Sequence, residues 1–206
     1  MANARSEDFV IKNVRLSYPN LYKPQVKDDG KKQFNATLLF PKTAADTVAA
    51  LKKAVGEVVV KQWGDKGLPR LQQGLIKNPV LDGDGPQGLN KKSGARHGGY
   101  EGCWFIRASA NEDRPPRLYT RSLTIAGPDD IYAGCYVNAV INAFAWSNPK
   151  NGDGVSFGLT YVQFAAPGER LGGGAPPVES LLEKIADEGA APAATQGGAG
   201  AGGFFS

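Results

Sequence analysis

Tyr136-Val137-Asn138-Ala139-Val140-Ile141-Asn142-Ala143-Phe144-Ala145-Trp146 is the stretch that decides the fold. Side chains alternate faces along a strand. One face then carries Val137, Ala139, Ile141, Ala143 and Ala145, small and apolar, as a barrel interior requires. The other carries Tyr136, Asn138, Val140, Asn142, Phe144 and Trp146. Rings beside amides are odd for a face that meets only water. The segment predicts a strand buried on one side and employed on the other.

Further strands lie on both sides of it. Asn148-Pro149-Lys150-Asn151-Gly152-Asp153-Gly154 reads as a turn leading into a strand over 155–164. Residues 103–110 and 117–121 read as two earlier strands. Near the start, 9–16 and 34–40 read as a hairpin around Asp28-Asp29-Gly30, with Tyr18-Pro19-Asn20 ending the first strand. Between hairpin and later strands, Val48, Leu51, Val55, Val58, Val59 and Trp63 recur at helical spacing after a capping box, Thr43-Ala44-Ala45-Asp46. Residues 64–101 read as a long irregular basic loop holding Lys66, Arg70, Lys77, Lys91, Lys92 and Arg96. The order implies a mainly β barrel or sandwich with one long helix.

Composition agrees with one folded domain and a tail. The chain has 206 residues, 41% of them hydrophobic, with 27 Gly and 14 Pro. Residues 1–174 are expected to form the domain. Residues 175–206 are expected to be a flexible Gly/Ala-rich tail, with a short helix over 178–187. The net charge of +4 is uneven. Residues 1–168 hold 22 Lys and Arg against 15 Asp and Glu, net +7, and 169–206 hold 2 against 5, net −3. A basic body suits a polyanion partner. The N-terminal residues do not resemble a secretion signal, and no apolar run approaches the ~18 residues of a bilayer span, so no membrane association is expected.

Enzyme signatures are weak. There is no phosphate-binding loop of the G-x-x-x-x-G-K-[ST] type. Asp82-Gly83-Asp84-Gly85 starts like a calcium loop, but Ser93 at its twelfth position cannot act as a bidentate ligand, and the stretch reads as a turn. His97, Cys103 and Cys135 are too few to close a zinc site without a carboxylate, so no metal or cofactor is expected. The two cysteines read as small buried residues, and His97 as solvated or facing a phosphate. What remains is a mixture of rings and cations on strands. Arg117, Tyr119 and Arg121 share one face, and Arg107 lies opposite Trp104 and Ile106. Unpaired bases stack on rings, and Lys or Arg neutralises phosphates, so this pattern suits a single strand of nucleic acid. The plain alternative is that Tyr136, Phe144 and Trp146 pack under the long loop or form a subunit interface. In that case the protein is an assembly or interaction module.

Two pairs of strings carry a resemblance. Lys12-Asn13-Val14-Arg15-Leu16-Ser17-Tyr18-Pro19-Asn20-Leu21 is followed by Ala36-Thr37-Leu38-Leu39-Phe40-Pro41-Lys42. Later come Asp130-Ile131-Tyr132-Ala133-Gly134-Cys135-Tyr136-Val137 and Gly154-Val155-Ser156-Phe157-Gly158-Leu159. Over roughly 9–174 the chain resembles a phage and prophage family of single-stranded DNA-binding proteins, first catalogued as a domain of unknown function. The resemblance implies an OB-fold barrel that serves phage DNA replication or recombination, so the expectation, with the weak enzyme signatures, is non-catalytic, sequence-tolerant binding of single-stranded DNA in the cytoplasm of the bacterial host. Many such proteins end in an acidic tail with a terminal aromatic that recruits replication partners. This tail departs from that pattern, with Asp187 and Glu188 near its linker and Ser206 after Phe204-Phe205. Recruitment of phage or host replication proteins through the tail, and a homo-oligomer, are the further partner expectations.

From the faces, the expected site is one groove. Arg107, Arg117 and Arg121 hold phosphates, and Tyr119, Phe144 and Trp146 stack bases. Asn138 and Asn142 offer hydrogen bonds, and Lys77, Lys91, Lys92 and Arg96 clamp from the loop.

Overall fold

The computed structural model describes residues 3–27 and 30–172. The tail expected over 175–206, with its helix at 178–187, lies outside the described residues. Five strands close into a barrel: β1 (Phe9–Val26), β2 (Lys32–Pro41), β5 (Cys103–Asn111), β7 (Tyr136–Asn148) and β8 (Gly152–Ala166). They pair in the order β8-β7-β1-β2-β5, and β5 returns to β8 through a parallel pairing, Ala108 to Phe157 and Ser109 to Gly158. This is the mainly β, OB-like barrel that the sequence implies.

The interior explains the small side chains of β7. Val137, Ala139, Ile141, Ala143 and Ala145 are all fully buried, as are Phe40 and Phe157 from other strands. A narrow barrel has room for large rings only where its other walls carry alanine. One helix, α1 (Ala45–Trp63), buries Leu51, Ala54, Val55, Val58 and Val59 and packs on β7, β1 and β8. Its N-cap is Ala44, with no side-chain cap bond, so the expected capping box at Thr43 and Asp46 does not form.

Strand β1 does not end at Pro19. It bends through several irregularities and continues to Val26. Its pairing with β7 shifts between Ile11 and Val14, and its pairing with β2 shifts between Ser17 and Asn20. Asn13 and Tyr18 take left-handed backbone, with φ of 53° and 46°. Bulges of this kind bend a strand so that it can serve two neighbours, and Pro19 is tolerated where the ladder is already broken.

The connection over 64–101 is more ordered than expected. It carries α2 (Gly67–Gln72), β3 (Ile76–Lys77), β4 (Val80–Asp82) and a 3-10 turn at Pro86–Gly88. Its second half packs on the outside of β2 and β5, where Tyr100, Leu39 and Phe105 form a small separate core. Gly83 permits this closeness, because a Cβ there would lie 2.1 Å from the Tyr100 carbonyl oxygen. Strand β6 (Arg117–Tyr119) extends along β8 beyond the end of β5.

Candidate functional site

An open trough of about 910 Å³ lies over the seam between β5 and β8. Its floor is low because Ser109 faces Gly158 across that seam. A Cβ at Gly158 would lie 2.8 Å from Asn142 Oδ1, so glycine keeps the floor open. Phe144 and Arg5 form one wall, and Arg114, Pro115, Pro116 and Arg117 form the other. Thr160 and Tyr161 continue the lining along β8.

Local pairing places each group. The N-terminal segment runs beside β7, with Ser6 N donating to Ala143 O and Ala145 N to Ala4 O, both at 2.9 Å. This sets the Arg5 guanidinium 5.5 Å from the Phe144 ring centre. Arg117 pairs with Tyr161 in register, and the Tyr119 ring stands 6.1 Å from that of Tyr161. Val10, Val140, Tyr161 and Arg117 form one row across four strands.

The electrostatics favour an anion. Lys32, Lys42, Arg70 and Arg96 are ion-paired with acidic side chains. Among the described residues, Arg5, Arg107, Arg114 and Arg117 have no such partner. None of these four is held in a direct ion pair with a carboxylate of the described residues. Two carboxylates, Asp8 and Asp113, also line the trough. Asp8 accepts from Asn142 Nδ2 at 2.8 Å and Thr160 Oγ1 at 3.2 Å, which fixes its negative charge at the edge of the floor.

The structure gathers some expected residues and separates others. Arg117, Asn142 and Phe144 line the trough, Tyr119 adjoins it, and Arg107 lies on β5 two positions from Ser109. Asn142 is buried, and its Oδ1 has no partner. Asn138 is engaged within the sheet, donating to Gln163 and accepting from the Asn13 backbone N–H, each at 3.0 Å. Arg121 falls beyond the end of β6, and its Nε donates to Ala165 O at 2.6 Å.

Trp146 lies at the hairpin end of β7 rather than in the trough lining. Its Nε1 donates to Ser156 Oγ at 2.9 Å, its ring presses on Gly154, and Lys77 Nζ sits 5.6 Å from the ring centre. Arg96 points back into its own loop, donating to Gly83 O and approaching Asp84. Lys91 and Lys92 are exposed at a turn organised by the Asn90 side chain. Sequence reasoning missed Arg5, Arg114 and Tyr161. Tyr161 was hidden by a shift between β7 and β8 at Val140/Ile141. Leu159 and Val162 both face inward across that shift, so the strict alternation of β8 fails there.

Comparison with known proteins agrees with this architecture. Protein p50 of Acyrthosiphon pisum secondary endosymbiont phage 1 is 32% identical over 178 residues, covering 83% of this chain and 90% of that protein. The single-stranded DNA-binding protein of bacteriophage Enc34, solved in complex with ssDNA, is 26% identical with a TM-score of 0.56, covering 80% of this chain and 89% of that one. The C-terminally truncated form of that protein matches with the same identity and TM-score, covering 80% and 88%. The family model described as Enterobacter phage Enc34, ssDNA-binding protein, matches residues 7–191, and the chain belongs to that family.

Proposed function

We propose that this protein binds single-stranded DNA without catalysis and with tolerance for sequence, in phage DNA replication or recombination in the cytoplasm of the bacterial host. The observation that carries the reading is the trough over the β5–β8 seam, where Phe144 and Tyr161 stand beside Arg5, Arg114 and Arg117, arginines with no acidic partner among the described residues. Unpaired bases expose flat faces that stack on rings whatever the base, and guanidinium groups neutralise the phosphates between them. A duplex hides those base faces, so the arrangement favours a single strand. Kinship with a protein solved on ssDNA supports the same reading.

In this reading Arg5, Arg107, Arg114 and Arg117 hold phosphates, while Phe144, Tyr119 and Tyr161 offer rings. Lys77, Trp146, Lys91 and Lys92 meet only a strand that extends past the trough. Arg96 and Asn138 act structurally, through the bonds they already make. The tail is a candidate recruiter of replication proteins.

The test is a fluorescence anisotropy titration with dT, dA and dC oligonucleotides of equal length, with a parallel incubation of the DNA with protein and magnesium. The reading expects affinities within about tenfold of one another and intact DNA. Absence of binding, one strongly preferred base, or cleavage would overturn it.

A further inference from the structure

The trough leaves one aromatic group on the barrel exterior unexplained. Tyr18 is 56% exposed, although it lies in the long strand β1. It has a φ of 46°, which a residue with a Cβ rarely adopts. The irregularity between Ser17 and Asn20 turns it away from the ladder. The Tyr18 hydroxyl and His97 Nδ1 are hydrogen-bonded at 2.7 Å, and the two rings meet edge to face, 5.2 Å between centres and 79° between planes. His97, the single histidine of the chain, is held in turn by its backbone bond to Gly88 O and by its contact with the Tyr100 ring. Tyr100 is buried, and its ring packs edge to face on that of Phe105. A hydrogen bond to His97 and the ring contact behind it therefore hold an exposed ring in a strained backbone position. Strain of this kind persists only where the surroundings impose it, and it concentrates at functional sites.

The ring is also tied to the trough side of the barrel by one row of paired residues. Arg107, Thr37 and Ser17 occupy one row across β5, β2 and β1, with Thr37 and Ser17 buried, and Tyr18 follows Ser17 directly. Arg107 stands two positions along β5 from Ser109, which is in the trough floor. Its guanidinium is exposed and has no acidic partner among the described residues. An exposed cation thus lies at one end of this row and an exposed ring at the other, with the trough beyond the cation.

We propose that Tyr18, backed by His97, is a second nucleobase-stacking subsite, with Arg107 holding the phosphate between it and the trough. This rests on the trough being the single-stranded DNA site, and it extends the path of the strand from the β5–β8 seam across β2 to β1.

Tyr18→Gly gives a clean test, because glycine adopts positive φ freely and the substitution removes the ring while relieving the strain. The probe is labelled dT of about 16 nucleotides, the upper end of the site size of one OB fold. The full-length Tyr18→Gly variant is expected to melt no lower than wild type and to bind about tenfold more weakly. Tyr18→Phe, which keeps the ring and loses the bond to His97, is expected to recover most of that affinity. In a companion experiment on the wild type, oligonucleotides carrying 5-bromouracil are photo-crosslinked, and an adduct on Tyr18 or His97 is expected. Unchanged affinity in Tyr18→Gly, with weakened binding in Phe144→Ala and Arg117→Ala, overturns the subsite and leaves the trough standing. Unchanged affinity in all three overturns both. If Tyr18→Gly melts lower, the crosslink decides, and adducts confined to trough residues overturn the proposal.

Discussion

Arg117→Ala separates a phosphate-binding arginine from a merely exposed one. Arg117 sits on the short strand β6, paired with Tyr161 at the trough wall and free of any carboxylate partner among the described residues. Its side chain is exposed, so its loss costs the fold within about 0.5 kcal/mol. Binding of a single strand releases counterions, and log K falls with log salt by about 0.7 for each phosphate neutralised. With Arg5, Arg107, Arg114 and Arg117 each holding one phosphate, the wild-type slope is about −2.8. The variant slope is then about −2.1. At 0.1 M salt the lost contact weakens binding about fivefold, or ~1 kcal/mol, and the difference closes as salt rises toward 1 M. The assay is anisotropy of labelled dT from about 50 to 200 mM salt. Equal slopes for the two proteins, or an affinity loss that is constant across the salt range, would refute the assignment of Arg117 to a phosphate.

Three further outcomes follow from the same geometry. Phe144→Ala removes the ring beneath Arg5, and it is expected to weaken binding of dT by about 1–3 kcal/mol in the same anisotropy assay, with little change in salt slope. Asp8→Asn removes a negative charge from the trough edge and retains an acceptor for Asn142 Nδ2, so binding is expected to tighten several-fold, an effect that isothermal titration calorimetry reads directly. Hydrogen bonds from Lys42 hold the Asp82 and Asp84 carboxyls below their usual range, and bonds from Ser147 and then Arg70 do the same for Asp153. Groups whose folded values are depressed stabilise the fold above the unfolded value, and that contribution disappears as pH falls through the folded values. Melting temperature is thus expected to drop as pH falls below about 4, and Lys42→Ala is expected to flatten that drop.

The parts of this molecule that were legible in the sequence are those where periodicity maps onto burial. In β7 every second residue from Val137 to Ala145 is fully buried, so alternation alone found both the inner and the outer face. The helix was equally plain, since Leu51, Val55, Val58 and Val59 share one buried side. Periodicity fails where a strand slips. The shift near Thr160 moves Tyr161 to the outer face, and the irregularity at Ser17/Asn20 carries β1 through Pro19, a proline that reads as a stop. Strands of two or three residues, such as β3 and β4, are too short to leave a period, so an ordered connection looked like a loop.

The site was half legible for a related reason. Arg117 and Phe144, which line the trough, stood out because they share a face with rings or cations on their own strand. Arg5 reaches Phe144 only through the pairing of Ala4 and Ser6 with β7, and no local pattern announces it. Arg96 looked available as a cation, yet its guanidinium is taken by Gly83 O and Asp84. Trp146 looked like part of the same groove, yet it lies half-buried against Gly154 and Lys77 at the hairpin end of β7. Whether a side chain is already occupied depends on contacts far apart in sequence.

The most direct measurement is a paired titration of the full-length protein with a labelled single strand and with its duplex, at one salt concentration. The account predicts that the single strand binds at least about tenfold more tightly, because only unpaired bases can lie on Phe144 and Tyr161. Equal or tighter binding of the duplex would contradict it.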